Sequence, residues 1–180
     1  MPGGQERALR RRINSVQSTK QITRAMELIA ATRVVKAMTR ANAARPYSTK
    51  MTGVIEDLAA GGVGIDDPLL RSSETVSSIG FVVITSDRGL AGAYNSSVIR
   101  AAEKEIMAAQ TEGKEYKLVL VGKKAADYFR FRNYQIEASF SGMTDTPSYE
   151  DARDVATTVR DLFVSEAVDQ VILAYQEFVS

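Results

Sequence analysis

"ITRAMELIAATRVVKAMTRANAARPY" spans Ile22 to Tyr47, rich in alanine, methionine and arginine, with no glycine and a single proline at Pro46. Its flanks continue the pattern. Stepping alternately by four and three from Leu9 lands on Ile13, Val16, Lys20, Thr23, Glu27, Ala30, Val34, Ala37, Ala41, Ala44, Ser48, Met51, Ile55 and Leu58, most of them apolar. A seam with that spacing marks one strand of a left-handed coiled coil. The spacing predicts one long helix over residues 1–60, on the order of 80 Å at 1.5 Å per residue. A small domain is narrower than that, so much of the helix should project.

The middle of the seam is small (Ala30, Ala37, Ala41, Ala44, Ser48), which lets two helix axes approach closely. Ile22, Met26 and Ile29 form a second stripe on a neighbouring face, so more than one neighbour is expected. Pro46 has two readings. It ends the helix at Arg45, or it kinks a helix whose seam resumes in register at Met51. The second is preferred. "AAGGVGIDDP" (Ala59 to Pro68) then reads as a terminator, opening a linker over 61–76. No later stretch carries a comparable seam. The partner strand is therefore expected in another chain, or the chain is a fragment.

Residues 77–180 follow a different grammar. "SIGFVVITSD" (Ser78 to Asp87), "YKLVLVG" (Tyr116 to Gly122) and "DQVILAYQ" (Asp169 to Gln176) are apolar runs suited to buried strands. "YQIEASF" (Tyr134 to Phe140) alternates, as an edge strand would. Between them lie helical stretches: Asn95 to Gln110 with Asn95 as N-cap, Lys123 to Phe131, and Ser148 to Glu166 with Ser148 as cap and Asp151 three residues on. Alternating strands and helices predict an α/β domain with a mainly parallel sheet.

Composition excludes much chemistry. The 180 residues contain no cysteine and no histidine, which removes thiol nucleophiles, imidazole bases, disulfides and the common zinc ligands. No EF-hand spacing occurs, and no cofactor is expected. The net charge of +1 hides an asymmetry: residues 1–50 hold 11 Lys+Arg against 2 Asp+Glu, the rest 12 against 20. The basic half should meet something acidic. "RALRRRINSV" (Arg7 to Val16) has the look of a targeting peptide, but the helical pattern runs far past it. Nucleic acid is not expected, because the basic segment has one aromatic, Tyr47, and its arginines surround a packing seam.

"ITSDRGLAGAYN" (Ile84 to Asn95) is the one motif-like loop, placed where a strand's carboxyl end meets a helix. It contains neither dinucleotide nor P-loop spacing; Gly89 and Gly92 give only G-x-x-G. Asp66 and Asp67 pair in a polar linker without a pocket to tune them. A stand-alone phosphate- or nucleotide-binding module, with the helix as dimerisation arm, is the alternative reading.

"RRINSVQSTKQITRAMELIAATRVVKA" resembles the amino-terminal helix of the gamma subunit of the F-type ATP synthase, and "VVITSDRGLAGAYN" resembles that family's second signature. "SGMTDTPSYEDA" and "QVILAYQEFVS" follow in the family's order. Ala91 stands where the family usually has cysteine, and no regulatory cysteine-bearing insert is seen. The resemblance implies a Rossmann-like domain following the helix, and a carboxyl-terminal helix paired with that helix that this sequence does not include. It implies a non-catalytic rotor in an enzyme complex that makes ATP at the bacterial plasma membrane's cytoplasmic face. Its partners would be the alpha and beta subunits of the ring, the epsilon subunit and the membrane ring of c subunits. By matching position, Arg24, Met26, Arg33 and Lys36 would face the alpha/beta ring. Ser86, Asp87, Arg88, Gly89, Leu90 and Gly92 would form the signature loop.

Overall fold

The computed structural model describes residues 2–60, 67–71 and 73–178. The glycine-rich start of the expected linker, Asp66 included, lies outside the described residues. The chain divides into two compact units, Met1–Gly64 and Ile65–Ser180.

The first unit is a single helix, α1 (Pro2–Ala60), 59 residues long and unbroken, with Pro46 inside it. The basic segment Arg7 to Val16 belongs to it. Pro46 removes one internal hydrogen bond, at about 3 kcal/mol in a helix interior. The alanine-rich turns around it are the best helix formers available, and the helix survives. Threonine suits a helix poorly because of its branched Cβ, and four of the six in α1 show how the hydroxyl is placed. Each turns its hydroxyl back onto a carbonyl of the preceding turn: Thr19 on Ser15, Thr23 on Thr19, Thr32 on Ile29 and Thr39 on Val35. That satisfies the hydroxyls within the helix.

The second unit is α/β. Its elements are a short 3-10 turn (Pro68–Leu70), β1 (Ser78–Ile84), α2 (Tyr94–Thr111), β2 (Glu115–Val121), α3 (Lys123–Phe131), β3 (Ala138–Phe140), α4 (Tyr149–Val164) and β4 (Gln170–Ala174). The sheet order is β3-β2-β1-β4, and every pairing is parallel. Phe81 of β1 sits in register between Leu118 of β2 and Ile172 of β4. Parallel strands need helical crossovers, which bury both faces of the central strand. Residues 79–83 of β1 are accordingly all buried.

One face is tightly packed. Ile79, Phe81 and Val83 of β1, with Leu118 and Leu120 of β2, meet Val98, Ile99, Ala102, Ile106 and Ala109 on one stripe of α2, and Ala125, Ala126 and Phe129 on α3. The other face carries α4, none of whose residues is fully buried. Between α4 and the sheet lies a cavity of about 1040 Å³, lined by residues such as Val82, Ile84, Val121, Val159, Phe163 and Leu173.

Three expectations need correcting. Asn95 does not cap α2: the helix starts at Tyr94, Ala93 holds the cap position without a side-chain bond, and Asn95 turns elsewhere. The edge strand is shorter than Tyr134 to Phe140 and begins at Ala138. The amide of Tyr134 is committed to the Phe129 carbonyl at the end of α3, so it cannot join a ladder. From Asp67 onward the expected linker is fastened. Asp67 caps the 3-10 turn through Leu69 N at 2.8 Å, and Arg71 reaches back to the end of α4. Ser148 caps α4 as expected, in a full capping box with Asp151.

Candidate functional site

Arg24, Met26, Arg33 and Lys36 are all exposed on α1. At about 100° per residue, Met26 and Arg33 share a face and Lys36 lies about 60° away, but Arg24 lies about 180° from Arg33. The helix thus brings three of the four together and turns the fourth to the opposite side. Apolar residues occupy several of its faces too. Measured from Arg33, Ile29 lies at about −40°, Val34 at about 100° and Val35 at about 200°. Val35 is 64% exposed and its neighbour on that side, Leu28, 65%. The stripe of Leu28 and Val35 is a third one, missed by reading for seams because it repeats only once. Apolar stripes on several faces call for more than one neighbour.

The signature loop is built around Asp87. Its Oδ1 accepts the Lys123 amide at 3.0 Å, and its Oδ2 accepts the Thr144 amide at 3.0 Å and hydroxyl at 2.7 Å. The Asp87 amide in turn donates to Thr144 Oγ1 at 2.8 Å. One carboxylate therefore ties together the loops at the carboxyl ends of β1, β2 and β3. Partial burial opposes its charge. The Thr144 hydroxyl and the amides of Gly142, Thr144 and Lys123 outweigh that and hold its pKa down to about 2.

Asn95 supports the loop from below. Its Oδ1 accepts the Ser86 amide and its Nδ2 donates to Ser86 Oγ, both at 2.9 Å. Ser86 Oγ donates to the Arg88 carbonyl, and the Arg88 guanidinium pairs with Asp145 at 2.9 Å. Behind the loop, Gly122 holds a φ of 94°, and a Cβ there would come 2.2 Å from the Thr85 carbonyl oxygen, so β1 and β2 end in a close approach open only to glycine. The tip is what remains: Leu90 is 93% exposed at a φ of 62°, followed by Gly92 at 55°. Sequence reading singled out Ser86, Asp87, Arg88, Gly89, Leu90 and Gly92 as a loop and did not include Lys123, Gly142 and Thr144. They lie 36 to 57 residues away, and two of the three contribute a backbone amide alone, which no residue type advertises.

This arrangement disfavours phosphate. The Lys123 and Thr144 amides and the Thr144 hydroxyl are aimed at an ionised carboxylate of the loop itself. A second anion there would meet like charge. The alternative of a phosphate-binding module is set aside.

A family model described as "ATP synthase" matches residues 5–180. The ATP synthase gamma chain of Frankia casuarinae is 46% identical over 181 residues, covering 98% of this chain and 60% of that one. The ATP synthase gamma chain of a Nocardioides species is 44% identical, covering 96% of this chain and 58% of that one. Among solved structures, the central stalk and c-ring of Tetrahymena thermophila mitochondrial ATP synthase contains a chain matched at a TM-score of 0.70 and 25% identity, covering 88% of this chain and 66% of that one. The chain thus spans about three fifths of the length of these curated relatives.

Proposed function

This chain belongs to the gamma-chain family of the ATP synthase, and on that footing we propose that it forms shaft and foot of the central-stalk rotor. The helix unit is the shaft and the α/β unit part of the foot. The shaft stands inside the ring of alpha and beta subunits and zips against a second long helix of the complete subunit. The foot sits with the epsilon subunit on the c-subunit ring, which holds the complex at the cytoplasmic face of a bacterial plasma membrane. The chain contributes no catalytic residue; ATP is made on the beta subunits.

One observation carries this reading: a 59-residue helix that no break interrupts, with large apolar side chains exposed on several of its faces. Such a helix needs more than one neighbour, and a ring with a second helix supplies them. The physics of coupling follows. Three like catalytic sites are held in different states by an asymmetric shaft, each orientation favouring one conformation by differential contact. Small seam residues let the two helices pack closely and stiffen the shaft. Arg33 and Lys36 would face acidic loops of the ring as exposed, salt-screened attractions worth about 0–1 kcal/mol per pair.

The test is reconstitution of the complete subunit with alpha and beta subunits. ATP hydrolysis accompanied by single-molecule rotation of a probe on the α/β unit supports the reading. A complex that assembles and hydrolyses ATP while the probe stays still refutes it.

A further inference from the structure

The stretch that enters the α/β unit from the side of α1 is fastened before it reaches the sheet. Arg71 Nη2 donates to the Phe163 carbonyl at 2.8 Å and to the Val168 carbonyl at 2.7 Å. Its Nη1 meets Glu166 at 3.3 Å, and the guanidinium stacks 4.5 Å over the Phe163 ring. A planar cation on a last-turn carbonyl of α4 and on the Val168 carbonyl beyond it is well placed by both charge and shape. A few residues on, Asp169 Oδ2 accepts the amides of Ser77 at 2.8 Å and Ser78 at 3.0 Å, and Oδ1 faces Ser73 Oγ at 3.4 Å.

These bonds change where a force goes. Without them, tension on residue 67 would arrive at Ser78, the first residue of the central strand, and pull β1 along its own ladders. With them it is diverted into the end of α4 and the start of β4, at partners 92 to 97 residues away in sequence. We infer that Arg71 and Asp169 are positioning residues through which load carried by the chain from α1 enters the α/β unit. This rests on the rotor reading and adds to it where, within the α/β unit, that load would be received.

The experiment uses the complete subunit in the membrane-bound complex in proteoliposomes. Its readout is the ratio of ATP-driven proton pumping to ATP hydrolysis. Arg71→Ala should lower that ratio about threefold or more, while hydrolysis by the detached sector, which turns against no load, stays unchanged. Arg71→Lys keeps a cation at the two carbonyls and should recover part of the loss. Asp169→Asn should lower the ratio in the same direction and decides the matter if Arg71→Ala fails to assemble. Val119→Ala, a truncation in the packed sheet, serves as the stability control: with a comparable fall in thermal midpoint it should leave the ratio alone. An unchanged ratio in both anchor variants, or an equal fall in Val119→Ala, overturns the inference. A wild-type subunit that assembles but gives no pumping at all overturns the rotor reading, and this inference with it.

Discussion

At the scale of single residues, Asp87 holds more of the structure than its place in an exposed loop suggests. Its pKa is depressed from 3.8 to about 2 by bonds that favour the charged form. The sign follows from linkage: the stabilisation is fully present above the unfolded value, and is lost as pH falls through about 2. Discounted for partial solvent access, it amounts to about 1–2 kcal/mol. Asp87→Asn should therefore destabilise the α/β unit by that amount in urea unfolding at pH 6, and the gap to wild type should close near pH 2. A gap independent of pH would mean that shape, not charge, ties the loops. The sequence offered Asp87 as a capping acid; the loops that it binds were invisible because backbone amides leave no trace in residue identity. Asn95 shows the same limit from the other side. Its type suited a cap, but Ser86 nine positions earlier offered it a better partner.

At the scale of elements, legibility followed local physics. α4 was readable at its start because a capping box is local: Ser148 accepts the Asp151 amide, and Asp151 accepts the Ser148 amide at 2.8 Å. Ser148→Ala should cost about 1 kcal/mol, measured as a lowered urea midpoint at an unchanged slope. β1, β2 and β4 were readable because a strand buried on both faces must be apolar throughout. β3 was not, because its length was decided by where α3's last carbonyls found their donors. The loose seating of α4 over its cavity was not readable either, since packing quality depends on the fit between two faces and not on the pattern of one. For α1 the seam predicted the helix, yet only the continuous helix shows that Arg24 faces away from Arg33. On the proposed rotor reading, Arg33→Glu with Lys36→Glu should weaken coupling in the assembled complex and leave the circular dichroism of the α/β unit unchanged. Arg24→Glu should act separately from that pair, since it would meet a different neighbour. If all three reversals prove interchangeable, a general basic field and not a face is at work.

At the scale of the whole molecule, the two units differ in what their stability requires. Among the described residues, every buried side chain lies between Ile79 and Val168. The core of the α/β unit is thus built without any residue of α1. None of the described side chains of the long helix is buried, and its large apolar residues, Leu9 through Leu58, are all exposed. Isolated helices draw little stability from propensity alone and most of it from packing of their apolar faces. The opposite charges of the two parts, basic through residue 50 and acidic after it, fit the same division, since each surface is suited to different surroundings. Separating them should therefore have unequal effects. A chain of residues 67–180 keeps Arg71, Asp169 and the whole core, and should unfold cooperatively with a thermal midpoint within about 2 °C of the 180-residue chain's second unit. A peptide of residues 1–60 should show helicity that falls on dilution, because its apolar arcs are satisfied only by association. Circular dichroism across a hundredfold range of peptide concentration separates the outcomes. Concentration-independent helicity would mean that α1 is stable as a lone rod, and would remove the physical reason for a second helix beside it.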